Sequence, residues 1–229
     1  MKNFKLTLSL FVFTLVFASC TTNENLIEDS AATLNLLESY TLSKNESGIY
    51  AMDYTISDKA TSQLIRNKKD NTNDFYLYSS SNQAQKYYNE EFSITNNELN
   101  IGFIDTNSPN QSSIKVIDDN IVFAKGDEND GLLNSYSITK NENKTYDLSF
   151  SVNKDVEVDF VFNEELDIYE IHLLKNKGTQ VDFTKTFTKK AGNALRIDFV
   201  NHKNSAAKGY AFKEAATKRK PRLIIDSIE

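Results

Sequence analysis

Alternation of apolar and polar side chains is the feature that most constrains this chain. Every second residue is apolar between positions 146 and 152, and the alternation resumes between positions 156 and 162. A two-residue period is typical of a β-strand with one buried face and one solvated face. The sequence therefore predicts an antiparallel sheet that covers a hydrophobic core on one side.

The positions of turn residues divide this region into strands. If residues 153–155 form a three-residue hairpin loop, Val152 faces Val156, Phe150 faces Val158, and the apolar residues share one face. Loops at 140–144, 163–166 and 176–178, followed by a strand at 195–199, extend this register in both directions. We therefore predict a meander of six sequential antiparallel strands between residues 136 and 200.

The other segments add strands and one helix. Strands are expected at residues 49–57 and 74–79, and Asn96-Asn97 is typical of a type I′ turn between strands at 92–95 and 98–103. A second hairpin is expected from strands at 114–117 and 121–124. Residues 205–217 favour a helix, and residues 223–228 a last strand.

These patterns predict a mostly β fold. We expect an antiparallel, meander-rich β-sandwich or a partly open β-barrel with a C-terminal helical segment. We find no sharp domain boundary and no repeat of fixed period beyond the spacing of the strands.

The N-terminus is typical of an export signal. Lys2 and Lys5 precede an apolar run at positions 6–17, which is too short to span a bilayer. The run is followed by Ala18, Ser19 and Cys20, so small residues stand directly before the only cysteine of the chain.

This segment resembles the signal peptide and lipobox of bacterial lipoproteins. The resemblance implies cleavage between Ser19 and Cys20 and attachment of acyl chains to Cys20, which would hold the protein on a membrane. Thr21 after the cysteine resembles the pattern of Gram-negative outer-membrane lipoproteins. The alternative is an ordinary cleaved signal peptide with a cysteine placed there by chance.

The chain therefore divides into four parts. They are a signal peptide at 1–19, a lipidated cysteine with a flexible tether at 20–40, an antiparallel β domain at 41–201, and a basic helical segment with a C-terminal strand at 202–229. Ser30 lies in a short motif that resembles an O-glycosylation site. Residues 202–222 carry seven Lys or Arg against one Glu, which suits either anionic lipid headgroups or the acidic sheet of the protein itself.

Candidate chemistry is sparse. The register places His172 on the polar face opposite Glu157, where we favour an exposed charge pair over an acid–base or metal pair. His202 follows a strand and has no obvious second ligand. Residues 127–131 do not have the spacing of an EF-hand loop. With a single cysteine and no catalytic motif, the sequence predicts no cofactor, no metal site and no catalytic residue.

Tyrosines offer the one candidate ligand site. Tyr76, Tyr78, Tyr87 and Tyr88 cluster in a short segment, where a sugar could stack on their rings. The alternative is that they only pack on the pleated surface of a sheet, as tyrosines in strands often do.

We therefore expect a non-enzymatic cell-envelope lipoprotein, whose export keeps it from contact with nucleic acid. Its β domain would bind a ligand or an envelope protein, or act as a scaffold, at the membrane surface. One alternative is a lipocalin-like carrier, which predicts an empty apolar cavity. Another is a β-sandwich glycan hydrolase, which predicts two acids about 5–10 Å apart across a cleft.

Overall fold

A computed structural model of the chain describes residues 35–81, 85–94, 96–108, 111–118, 131–202 and 221–226. The described ranges contain no helix that could cross a membrane. Their regular structure consists of β-strands, which are β1 (Leu37–Lys44), β2 (Tyr50–Ile56), β3 (Ala60–Asn67), β4 (Thr72–Ser79), β5 (Tyr87–Phe92), β6 (Glu98–Asp105), β7 (Gln111–Ile117), β8 (Leu133–Lys140), β9 (Thr145–Val152), β10 (Val156–Asn163), β11 (Ile168–Lys175), β12 (Asp182–Thr188), β13 (Leu195–His202) and β14 (Leu223–Ile225).

The strands form two sheets. Sheet A has the order β12-β9-β8-β1-β2-β5, and sheet B has the order β10-β11-β13-β14-β7-β6-β4-β3. Neighbouring strands are antiparallel except for the parallel pairs β4–β6 and β11–β13. Each sheet ends in two strands that pair on one side only. The predicted mostly β fold is confirmed, and the described strands form two open sheets and no closed barrel.

The core lies between the two sheets. Tyr40 of sheet A stacks on Phe103 of sheet B with ring centroids 5.4 Å apart, and Phe150 of sheet A meets Phe199 of sheet B at 5.6 Å. Buried apolar residues from both sheets form one continuous cluster. The inner faces of the sheets therefore pack against each other, with the apolar positions of each strand turned inward.

The strand order contains an internal two-fold repeat, contrary to the expectation of no repeat. Each strand from β1 to β7 has a counterpart seven strands later, and the pairings within the first half (β1–β7) recur within the second half (β8–β14). The halves join through β1–β8 and β7–β14, both antiparallel. When each strand is replaced by its counterpart in the other half, each sheet has the same strand order read from its opposite edge. This symmetry indicates a pseudo-two-fold axis between the halves.

The two halves also correspond residue by residue. From Leu37 to Ser79, each residue matches the one 96 positions later, and Leu42 pairs with its counterpart Ile138 next to the axis. Gly48 and Lys144 occupy matching turn positions with φ of 80° and 64°. Seven matched pairs between 37 and 50 are identical: Leu37/Leu133, Ser39/Ser135, Tyr40/Tyr136, Lys44/Lys140, Asn45/Asn141, Glu46/Glu142 and Tyr50/Tyr146.

The predicted hairpin around residues 153–155 is wrong. Strand β9 pairs with β8 and β12 in sheet A, whereas β10 pairs with β11 in sheet B. The turn that contains Asp155, at a φ of 66°, carries the chain from one sheet to the other. Alternation assigns the inward face of a strand but not its sheet, because the inner faces of both sheets contact the same core.

The predicted registers on either side are also wrong. Phe160 pairs with Ile171, because the β10–β11 turn occupies residues 164–167 and not 163–166. Ile138 pairs with Leu148, because Asn141 and Thr145 close a three-residue turn in place of the expected five-residue loop. Strand β11 pairs with β13 in parallel and not with the strand after the turn at 176–178. The six-strand meander is therefore distributed over both sheets.

The remaining predictions have mixed outcomes. Asn96 and Asn97 have positive φ, as a type I′ turn requires, but β5 and β6 lie in different sheets. Strand β7 pairs with β14, which begins at the predicted Leu223. The compact β unit begins at Asn35. The signal peptide, residues 20–34 of the cysteine and tether segment, the hairpin strand at 121–124, residues 127–130 of the loop at 127–131 and the helix at 205–217 lie outside the described residues.

Candidate ligand-binding face

The outward face of sheet A is composed almost wholly of hydroxyl and acidic side chains. Alternation turns Tyr40, Leu42 and their neighbours inward, so the intervening residues point away from the core. We call this surface the hydroxyl face. Its outward positions are Ser39, Thr41, Ser43, Ala51, Asp53, Thr55, Tyr87, Asn89, Glu91, Ser135, Ser137, Thr139, Thr145, Asp147, Ser149, Ser151, Asp182, Thr184, Thr186 and Thr188.

Hydrogen bonds between strands order these hydroxyl groups. The Oγ1 atoms of Thr41 and Thr139 lie 2.8 Å apart across the junction of the two halves. The Oγ atoms of Ser135 and Ser151 lie 2.8 Å apart between β8 and β9. A hydroxyl group has one donor and two acceptor positions, so each retains hydrogen-bonding capacity toward a ligand. Because the side chains are short and lie on paired strands, the surface is preorganised.

The hydroxyl face carries acidic residues but no Lys or Arg at its outward positions. Asp147 accepts hydrogen bonds from Thr186 at 2.6 Å and from Asn141 at 2.8 Å. These two bonds lower the pKa of the Asp147 carboxyl, because they stabilise its ionised form. The face therefore disfavours anionic ligands, such as phosphates, and favours neutral or cationic ones.

Two depressions lie on this face. The larger, of about 380 Å³, is lined by hydroxyl groups of β1, β8, β9 and β12, by the Asp182 carboxylate, by Lys44 and Asn45 at the end of β1, and by Tyr136, Phe150 and Phe183. The smaller, of about 180 Å³, is lined by residues of β1, β2 and β5, with Asp53 as its carboxylate. The pseudo-two-fold axis relates them through the pairs Ser39/Ser135, Thr41/Ser137, Asp53/Ser149, Thr55/Ser151 and Tyr87/Asp182. The face thus carries two versions of one depression.

The four predicted tyrosine contacts do not form one cluster. Tyr87 is 70% exposed on the hydroxyl face, whereas the ring of Tyr88 stacks on Tyr54 at 4.9 Å. Tyr76 and Tyr78 lie on the outward face of sheet B, with ring centroids 6.5 Å apart. The four residues are separated because β4 and β5 belong to different sheets and because adjacent residues of a strand point in opposite directions. Tyr87 and Tyr88 line the smaller depression.

The prediction that His172 is an exposed partner of Glu157 is also wrong. Asp159 stands opposite His172 in the register, and His172 is fully buried. The parallel pairing of β11 with β13 places the Nδ1 atom of His172 2.7 Å from the Nε2 atom of His202. The Nε2 atom of His172 lies 2.9 Å from the Glu170 carboxylate. Within the described ranges, no group of three or more His, Cys, Asp or Glu residues is placed to hold a metal ion.

Sequence analysis missed one buried lysine and one half-buried lysine at the junction of the halves. Lys44 forms an ion pair with Asp118, and its counterpart Lys140 forms one with Asp226, each with a closest N–O distance of 2.8 Å. A signal was present in the sequence, because Lys-Asn-Glu occurs at 44–46 and again at 140–142, each time followed by a tyrosine four residues later. Their partners are distant in sequence and follow β7 and β14.

Two features of these surfaces bear on the alternative functions. The inner faces of the sheets are occupied by packed side chains, and both depressions have mixed polar and apolar linings and lie outside the core, whereas a carrier of apolar ligands needs an apolar cavity. Each depression has a single carboxylate among its lining residues, whereas a glycoside hydrolase needs two. Cys20, the cleavage position after Ser19 and the glycosylation candidate Ser30 lie outside the described residues.

No family model, curated protein or solved structure matches this chain.

Proposed function

We propose that this chain is a non-enzymatic lipoprotein of the cell envelope, anchored through Cys20, whose β domain binds ligands through the hydroxyl face. The lipobox-like segment at residues 15–20 supports the anchor, since the only cysteine of the chain stands at its end. A protein with two or three acyl chains on that cysteine would stay on the membrane. Thr21 favours the outer membrane of a Gram-negative bacterium.

The distance between anchor and domain suits presentation at a membrane surface. The β unit begins at Asn35, so fourteen residues separate it from Cys20. A fully extended segment of this length reaches at most about 50 Å. The domain would therefore remain close to the bilayer, with access to envelope components on the same membrane.

The observation that carries the binding proposal is the hydroxyl face with its paired depressions. Its donors and acceptors lie on adjacent strands of a packed sheet, and Tyr87 adds an exposed ring that suits stacking against a sugar. With carboxylates but no Lys or Arg among the outward positions, the surface favours a neutral polyhydroxylated ligand, such as a glycan, over an anionic one.

The anchor is tested by following Cys20→Ala. We expect the wild-type protein to fractionate with membranes and its N-terminal peptide to carry acyl groups on the cysteine thiol by mass spectrometry. The variant should lose the acyl groups. An unmodified thiol on wild-type protein, or retention of the uncut precursor in the cytosol, would contradict the proposal.

The binding surface is tested separately with envelope glycans on an array. Ser137→Lys and Ser149→Lys each introduce a long cation into the larger depression and should weaken binding at least tenfold. Thr61→Lys makes the same type of change on sheet B and should leave binding unchanged. Equal binding by all three variants would show that the hydroxyl face is not the binding surface.

A further inference from the structure

The ion pair of Lys44 and Asp118 lies in the interior of the protein. Lys44 ends β1 and is 4% exposed, and its Nζ atom lies 3.0 and 2.8 Å from the two carboxylate oxygens of Asp118. Asp118 directly follows β7, so the pair joins the first and last strands of the first half. Burial removes water from both groups and leaves each as the other's close partner.

Tyrosines surround this pair. The Nζ atom of Lys44 lies 5.4 Å from the centroid of the Tyr50 ring. The Tyr50 hydroxyl accepts a hydrogen bond of 3.3 Å from the Tyr136 hydroxyl. Burial and the nearby charges of Tyr136 and Asp118 raise its pKa, so the phenol lies in the neighbourhood of the carboxylate. The carboxyl group therefore has the Lys44 amine as a direct contact and a phenolic proton donor close by.

The second half contains the same four types of residue. Lys140 is paired with Asp226, the Tyr146 hydroxyl donates to that carboxylate, and Lys140 lies 5.8 Å from the Tyr40 ring. Most other matched positions of the two halves differ, including Arg66 and Phe162. Both halves therefore combine a lysine, an aspartate and two tyrosines where β1 and β8 end.

We propose that Lys44 and Asp118 condense to form an intramolecular isopeptide bond. Transfer of a proton from the ammonium to the carboxylate first gives a neutral amine and a carboxylic acid. The amine attacks Cγ of Asp118, a C–N bond forms, and the C–OH bond breaks. The departing hydroxyl takes a proton from Tyr50 and leaves as water, and Tyr50 regains a proton from the attacking nitrogen. The products are one amide and one water, so no oxidant or cofactor is needed.

The surroundings favour this step. Burial lowers the pKa of Lys44, although the hydrogen bond to Asp118 and the charge of Asp118 oppose that effect. Burial also raises the pKa of Tyr50, so its hydroxyl stays protonated. The amine contacts both carboxylate oxygens, and reacting atoms held about 3–3.5 Å apart meet the distance for attack once the carboxyl plane turns. The product replaces two buried charges with a neutral amide.

The bond would be a covalent cross-link between the two ends of the first half. It would close a loop between residues 74 positions apart, as a disulfide does in other exported domains. This chain has one cysteine, which the proposed anchor consumes. We restrict the proposal to Lys44, because its side chain is 4% exposed, whereas that of Lys140 is 18% exposed. The proposal does not depend on the proposed binding function.

Mass spectrometry of the full mature protein tests the bond. Relative to Lys44→Arg, the wild-type mass should be lower by one water beyond the difference between the two residues, and the acyl chains cancel in this comparison. Asp118→Ala should likewise retain the water. Lys115→Arg, at an exposed ion pair with Glu98, should differ from wild type by the substitution alone.

Peptide analysis of the wild-type protein shows whether the isopeptide bond is present, even if a variant does not fold. Tryptic digestion of denatured wild-type protein should give a branched peptide that contains Lys44 and Asp118, because trypsin does not cleave after an acylated lysine. Asp118→Asn should yield the same branched product with loss of ammonia instead of water. A wild-type digest with complete cleavage after Lys44 and no branched peptide would overturn the proposal.

Discussion

Phe103→Ala tests the packing of the two sheets, because this side chain connects them. Phe103 lies on β6 in sheet B and is 1% exposed. Its ring stacks on Phe75 at 5.0 Å and contacts Tyr40 and Tyr54 of sheet A, each at 5.4 Å. Removing a buried phenylalanine costs about 3–5 kcal/mol. The loss of three ring contacts places the expected value in the upper part of that range.

The pseudo-two-fold axis supplies a matched variant. Phe199 is the counterpart of Phe103, is also 1% exposed, and contacts Tyr136 at 5.7 Å and Phe150 at 5.6 Å. With two ring contacts across the sheets, Phe199→Ala should reduce the free energy of unfolding by an amount within about 1–2 kcal/mol of Phe103→Ala. Tyr87→Ala, at an exposed position, should change it by less than about 0.5 kcal/mol.

Urea unfolding followed by far-ultraviolet circular dichroism measures these differences, since the chain has no tryptophan. The midpoints should fall for both phenylalanine variants with little change in the slope m. A loss below about 1 kcal/mol for Phe103→Ala would refute the face-to-face packing of the sheets. A large loss at Phe103 with none at Phe199 would refute the equivalence of the halves.

Three further predictions concern individual groups. Gly178→Ala should lower the free energy of unfolding, measured with urea, by at least about 2 kcal/mol, because a Cβ atom there would lie 1.9 Å from a backbone carbonyl oxygen of β10. Gly192 has a φ of 81° and open space around it, so Gly192→Ala should lower the free energy of unfolding by only about 1–2 kcal/mol. Because hydrogen bonds lower the pKa of Asp147, its ionised form stabilises the fold above the unfolded pKa of about 3.9, and this contribution disappears as the pH falls through the folded pKa. The difference in urea midpoint between wild type and Asp147→Asn should therefore shrink from pH 7 to pH 3, and a constant difference would contradict this cause. In a spectrophotometric titration, Tyr54 should ionise with a pKa of about 12, raised mainly by burial, whereas Tyr40 should stay protonated until the protein unfolds; early ionisation of all tyrosines would contradict their burial.

The sequence predicted the orientation of side chains better than the partners of strands. Tyr146, Leu148, Phe150 and Val152 all point into the core as the alternation indicated. The predicted pairing of Phe150 with Val158 failed, because a turn that continues a hairpin and a turn that crosses to the other sheet leave the same face buried. Resolving this requires the partner of each strand, which local residues do not specify.

The internal repeat was present in the sequence but concentrated in one segment. Positions 37–50 and 133–146 share half of their residues, whereas the later strands keep mainly apolar character, as Phe75 and Ile171 illustrate. Core positions tolerate exchange between apolar side chains, so identity decays while the pairing pattern survives. The polar cluster of Lys44 and Tyr50 tolerates less change, because a buried ion pair that loses one partner leaves an uncompensated charge.

The hydroxyl face was only partly predictable. The polar side of the strand at 146–152 was expected to be solvated, and Ser149 and Ser151 are on that side. The join of the halves at β1 and β8 places these residues on the same surface as Ser43 and Thr41, with β8 between them. That pairing connects residues 98 positions apart, a separation that turn chemistry cannot encode.

A disulfide between Thr41→Cys and Thr139→Cys tests the central claim most directly, because this pair lies at the junction of the halves and in the middle of the hydroxyl face. The native hydroxyl groups are 2.8 Å apart on directly paired strands, so in a Cys20→Ala background the two cysteines should cross-link on mild oxidation. Thr41→Cys with Thr186→Cys, placed three strands apart and therefore about 14 Å from each other, should not cross-link. A nonreducing gel that shows the reverse, or no cross-link in either variant, would contradict both the pseudo-two-fold fold and the binding surface built on it.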